Sequence, residues 1–174
     1  SANSGAVPLT LRDSLTARLD RLGGAKDIAQ AAAVIGRQFS HELLATIAQV
    51  GVIELQVGLQ QLCESGLIFA AGEDDEPAYS FNHALIQEAA YESLSRARRQ
   101  SLHAKIAQAL ESACAPGSAS EPSLIAHHYS RAGDPEKAVQ FWFGAADRSG
   151  AHHAFAESVA ALGFALAEAD LISD

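Results

Sequence analysis

The first apolar pattern in the chain is a leucine stripe. Leu11, Leu15, Leu19 and Leu22 recur at spacings of four, four and three, so they share one helical face. Thr10 stands where an N-cap is expected, with Asp13 three residues on, and Gly23-Gly24 closes the segment. A second helix is predicted through KDIAQAAAVIG, ending at Gly36. A third starts from the capping residue Ser40 and runs through HELLATIAQ, and a fourth runs through IELQVGLQQLCES to Gly66. The period then changes. LIFAA is a short apolar run, GEDDEP is a turn-rich acidic stretch, and AYSFN alternates around Tyr79 and Phe81, which together predict a two-stranded β-hairpin. Three short helices followed by a hairpin is the order of a winged helix, placed at about residues 25–82.

From His83 the helical pattern runs on without a clear stop to Ala115: HALIQEAAYESL leads into RARRQSLHAKIAQALESA, where Leu102, Ile106 and Leu110 recur every four residues. APGSASEP is a loop by composition. Three further helices are predicted: PSLIAHHYSRAG, DPEKAVQFWFGAADRSG and HHAFAESVAALGFALAEA. In the last, Phe155, Val159, Leu162 and Leu166 form a stripe at i, i+4, i+7 and i+11, with alanines between them that let helices approach closely. That texture belongs to a helix-pair repeat array. The predicted fold class is therefore mainly α: a winged-helix-like domain with one small β-hairpin, then α-helical hairpins that start an array. The predicted division is a linker and lead-in helix over 1–24, the winged-helix-like domain over 25–95 and the helical repeat region over 96–174.

Composition strengthens this reading and removes others. Alanine occupies 36 of 174 positions, and alanine favours helix over strand. With 48% hydrophobic residues the chain can build a core, so it is not a disordered acidic tail. No apolar run approaches the length of a membrane span. Cys63 and Cys114 are too few for a disulfide scaffold and suggest a reducing compartment. The chain starts at Ser1, contains no Met and has no signal-peptide pattern, so it is expected to be a piece of a larger cytoplasmic protein.

Twelve Lys and Arg against 21 Asp and Glu give a net charge of −9, and the imbalance is local. Between Gln38 and Ser95 there is no Lys or Arg, while nine acids fall there: Glu42, Glu54, Glu64, Glu73, Asp74, Asp75, Glu76, Glu88 and Glu92. The fourth helix would read the DNA groove in a winged helix, yet it carries Glu54 and Glu64 and no base, and the wing tip is EDDE. Phosphate repels such a surface, so the domain is expected to contact protein and not nucleic acid. The basic cluster Arg96, Arg98 and Arg99 stands at the junction of the halves, with Glu88 and Glu92 at four-residue spacings toward Arg96 that suit intrahelical pairing.

Candidate chemistry is sparse. No phosphate-cradling glycine loop, nucleophile elbow or H-E-x-x-H is present, so no catalytic residue and no enzyme activity is expected of these residues. The adjacent pairs His127-His128 and His152-His153 point about 100° apart on a helix, which suits one packed and one solvated ring better than a shared metal. No metal site is predicted. His83 directly follows the second hairpin strand at the start of a helix, where free N–H groups and the helix dipole suit an anion. Capping or packing is the plainer role for it.

Two stretches carry a family resemblance. YSFNHALIQEAAYESL resembles the end of the winged helix in signal-transduction ATPases with numerous domains, the STAND class of AAA-related NTPases, and VPLTLRDSLTARLDRLGGAKDIAQAAAVIGRQFS resembles the segment leading into it in bacterial members. Those members often carry a class III adenylate/guanylate cyclase domain or a LuxR-type DNA-binding domain. They usually end in tetratricopeptide-like repeats, to which LIAHHYSRAGDPEKAVQFWFGAA and AESVAALGFAL are similar. The resemblance implies a non-catalytic regulatory fragment that packs on an upstream ATPase core, relays its ADP or ATP state (with Mg in the parent), and binds a protein partner or small effector on the helical repeats. From the charge and the apolar runs of the chain, no nucleic-acid and no membrane contact is expected of this region. The resemblance also implies that His83, matching the family's hydrophobic-His-Asp motif as Asn82-His83-Ala84, senses the nucleotide phosphate in the intact parent. Ala84 departs from the motif's Asp. A DNA-binding transcriptional regulator and a freestanding helical interaction module are the alternatives.

Overall fold

The computed structural model describes residues 9–72, 77–113, 121–151 and 154–173. They form nine helices and three strands: α1 (Leu9–Asp20), α2 (Gly24–Ile35), β1 (Gln38–Ser40), α3 (His41–Ala48), α4 (Val52–Glu64), β2 (Ile68–Ala70), β3 (Ala78–Phe81), α5 (Ala84–Glu92), α6 (Arg96–Ala113), α7 (Pro122–Ala132), α8 (Pro135–Ala151) and α9 (Phe155–Ser173). The chain divides into two compact units, the first ending at Ser95 and the second beginning at Arg96.

The first unit is mainly helical with a small antiparallel sheet. Helix ends fall where the local chemistry sets them. The Ser40 hydroxyl accepts from the Leu43 amide at 3.2 Å and starts α3. Gly66 takes φ +67 after α4, a left-handed conformation that the turn into β2 requires. The sheet has three strands and not two, in the order β1-β3-β2. β1 pairs with β3 through Gln38↔Ser80 and Ser40↔Ala78, and β2 pairs on its other edge through Ile68↔Phe81 and Ala70↔Tyr79. Phe39 of β1 brings its ring against Tyr79 and Phe81, at 5.8 and 5.7 Å, which roots the strand in the core. The succession α2-β1-α3-α4-β2-β3 keeps the predicted order of three helices followed by a hairpin, with β1 added between the first two helices. The acidic wing tip, residues 73–76, lies outside the described residues.

The core of this unit is Ile28 and the alanines of α2 against Leu44, Ile47, Leu55, Leu59 and Leu62. α2 and α4 meet at Gly58, where a Cβ would run into the Ile28 Cδ1. α1 belongs to the same unit: Leu15 and Leu19 are buried, and Arg18 donates to the Ser65 carbonyl at 2.7 Å. Thr10 lies inside α1, which starts at Leu9, so it does not occupy the expected cap position.

The helix expected to run from His83 to Ala115 is two helices, α5 and α6. The Ser93 hydroxyl donates to the Ala90 carbonyl at 2.7 Å and accepts from Gln30 Nε2 at 2.8 Å. A hydroxyl that bonds back to the preceding turn competes with helix continuation, and the Gln30 bond anchors the break to α2. Glu92 and Arg96 therefore lie in different helices, and the intrahelical pairing expected of them has no continuous helix to run along.

In the second unit each helix packs on the next in sequence. Gly133 closes α7 in the left-handed conformation, and Asp134 Oδ1 accepts from the Lys137 amide at 3.2 Å at the start of α8. Tyr129 meets Phe141 and Lys137 while Pro122 lies beside Gly144, so α7 and α8 run antiparallel. α9 turns back on α8 in the same way: Ser158 donates to the Ala146 carbonyl at 2.9 Å, and Phe164 stacks on Trp142 at 4.7 Å. The predicted stripe on α9 is not its packed face. Phe155 and Val159 are 67% and 69% exposed, and Leu162 and Leu166 are also exposed, whereas Ala161 and Ala165 are buried. Small side chains allow the closest approach of two helix backbones, so the alanine face docks and the bulky stripe is left outward.

Candidate functional site

His83 is the N-cap of α5, but its side chain makes no capping bond and is exposed. The junction is held by its neighbours. The Asn82 amide N–H donates to the Leu67 carbonyl at 3.0 Å, and Asn82 Nδ2 donates to the Gly66 carbonyl, so β3 and the α4–β2 turn fix where α5 begins. The imidazole is thus presented to solvent beside the first turn of a nine-residue helix that has no acid in that turn. Such a position suits a contact to an anion. Ala84 at the first helical position adds no polar group.

On α4, Leu55, Gly58, Leu59 and Leu62 face the core. The opposite side carries Ile53, Val57, Gln60 and Glu64, with Val52 beside them, and Val52 and Ile53 are each 79% exposed. Gln60 Nε2 donates to Glu64 Oε1 at 2.8 Å. This side would enter a DNA groove in a nucleic-acid-binding winged helix, and it offers phosphate three apolar residues, an amide and a carboxylate but no cation.

The adjacent pair His127-His128 has a partner that its own stretch of sequence does not reveal. His128 is buried and His127 is exposed. The third ring is His103 on α6, also buried, with its Nδ1 2.8 Å from Nδ1 of His128. One Nδ1 donates and the other accepts, so at least one of the two rings must be unprotonated at that nitrogen. Burial, the neighbouring rings His128 and His127, Arg131 and Arg99 push His103 down to about 3. Burial and His127 push His128 down to about 4. The only sequence signal for this pair was an unusual His103 on the apolar side of α6, two turns along from Arg96. His152 and His153 lie outside the described residues. Among the described residues no group of three or more His, Cys, Asp or Glu is arranged to hold a metal.

A polar knot ties α6, α7 and α8. Tyr129 donates its hydroxyl to Glu111 Oε2, and Lys137 Nζ donates to both that carboxylate and the Tyr129 oxygen, at 3.0 Å each. The Tyr129 hydrogen bond holds the Glu111 carboxyl below its ordinary range, helped by Lys137. Bonds from Tyr129 and Glu111 raise the Lys137 ammonium, and burial raises the Tyr129 hydroxyl.

Beyond this knot, α7, α8 and α9 enclose a groove of about 410 Å³. Trp142, Phe164, Ala145 and Ala161 supply an apolar floor. The indole N–H of Trp142 is turned away, donating to the Ser130 hydroxyl at 3.3 Å. Glu121, at the cap of α7, and Glu157, in the first turn of α9, stand on the rim together with Arg148. Neither carboxylate has a hydrogen-bonded or ion-paired partner among the described residues. Among those residues no helix is long and apolar enough to cross a membrane.

No family model matches the chain. No solved structure matches it either. Over 159 residues, 91% of the chain, it is 34% identical to an uncharacterized protein of Rhizobium meliloti (strain 1021). The chain spans 15% of the length of that relative.

Proposed function

We propose that the chain is a non-catalytic regulatory part of a multidomain, cytoplasmic signal-transduction ATPase of the STAND class. In this reading the first unit is a winged helix that contacts an ATPase core, and the second is the start of a tetratricopeptide-like array that receives a partner or small effector. The observation that carries it is the outward side of α4: a winged helix whose groove-reading face is apolar and acidic is suited to a protein surface and repelled by phosphate. The exposed His83 imidazole at the start of α5 supports a contact to the β-phosphate of bound ADP, with all other nucleotide and Mg ligands supplied by the core. Regulation would then be a shift between closed and open populations, driven by contacts that differ between the two.

Two measurements test this reading. A DNA titration at low salt is expected to give no saturable binding, and tight, salt-dependent binding would replace it with a transcriptional regulator. In the longer polypeptide, His83→Ala is expected to shorten ADP retention and Ile53→Asp to weaken the resting state. Unchanged retention in both would remove the link to nucleotide.

A further inference from the structure

The groove between α7, α8 and α9 has the size of a small-molecule site and the charge of a cation site. Its volume of about 410 Å³ lies within the range of ligand pockets, about 300–1,000 Å³. A docked helix, about 10 Å across, would need a longer open trough. The floor is aromatic and aliphatic: Trp142 is almost wholly covered, while Phe164, stacked upon it, keeps about half its surface open at 54%. A flat apolar body can lie against that ring. The rim sets the sign. Its lining carries two carboxylates, Glu121 and Glu157, and one guanidinium, Arg148, in a chain whose net charge is −9. A π face beside a carboxylate attracts an ammonium through both the ring quadrupole and the charge.

We propose that this groove binds a small organic cation with a flat apolar body, an arylalkylammonium in chemical class, with the body on Phe164 and Trp142 and the ammonium between Glu121 and Glu157. The proposal rests on the reading of the second unit as the effector-receiving half. Its test uses the 174-residue chain alone, so it can fail without touching the nucleotide link, and the nucleotide link can fail without touching it.

Trp142 is the only tryptophan in the chain and forms the floor, so its fluorescence reports occupancy. The probes are 2-phenylethylammonium, 3-phenylpropionate and 2-phenylethanol, which share a body and differ in charge. The ammonium is expected to give a saturable change and to bind more tightly than the alcohol, with the carboxylate weakest. Glu157→Gln, at an exposed position, is expected to weaken the ammonium about fivefold and leave the alcohol unchanged, since an exposed ion pair contributes at most about 1 kcal/mol. Phe164→Ala is expected to weaken all three. The idea is overturned if the ammonium gives no saturable change, if the carboxylate binds as tightly, or if Glu121→Gln/Glu157→Gln binds the ammonium as the parent chain does. Circular dichroism on each variant confirms the fold, and the unchanged alcohol affinity distinguishes a lost charge from a damaged groove.

Discussion

The buried imidazole pair makes the second unit sensitive to mild acid. His103 and His128 share a hydrogen bond of 2.8 Å that exists only while one Nδ1 is unprotonated. In the folded chain burial holds them neutral down to about 3 and about 4. In the unfolded chain each takes a proton near the ordinary 6.5. The unfolded state therefore binds more protons between these values, and stability falls as pH falls from about 6.5. By pH 5 each ring costs about 2 kcal/mol and the pair about 4 kcal/mol relative to neutral pH. That is a large share of the roughly 5–15 kcal/mol that holds a typical domain. Urea denaturation followed by Trp142 fluorescence, at pH 7 and pH 5, measures it. The double variant His103→Leu/His128→Leu replaces both rings, so neither Nδ1 is left without the other, and it should lose most of the difference between the two pH values. If the double variant keeps the full difference, the pair is not its source and this account of the burial is wrong.

Three other outcomes follow from the packing. Gly58→Ala should destabilise the first unit by about 1 kcal/mol in thermal melts, because the clash with buried Ile28 Cδ1 outweighs the helix propensity gained. Adding Ile28→Val, which removes that carbon, should recover much of the loss, and a double variant no better than the single would contradict the clash. Ser40→Ala should cost about 1 kcal/mol by removing the cap on Leu43, read as a shift in the urea midpoint. Ser93→Ala frees the Gln30 amide and the turn at Ala90, so amide exchange at the end of α5 should quicken while that of α7 and α8 stays unchanged.

Much of the helical layout was legible because its punctuation is local. Ser40, Gly36, Gly66 and Gly133 end or begin helices by their own chemistry. β1 was not legible: three residues, Gln38–Ser40, carry no period, and they become a strand only because β3 offers an edge and Phe39 reaches the core. The break at Ser93 depends on Gln30, 63 positions away. The α9 stripe was visible as a pattern, but a period says which residues share a face and not which face is covered. The His103–His128 bond spans 25 positions and two helices. The groove likewise draws on three helices, and no single stretch of sequence carries it.

The two alanines that seat α9 also decide what the groove depends on. Because Glu157, Ala161 and Phe164 all come from α9, the groove exists only while that helix lies on α8. Docking of α9 and occupancy of the groove are then one linked equilibrium. A ligand at ten times its dissociation constant would hold α9 in place by about 1.4 kcal/mol. By the same linkage, a protein that pulled on the outward stripe of Phe155 and Val159 would empty the groove without ever touching its floor.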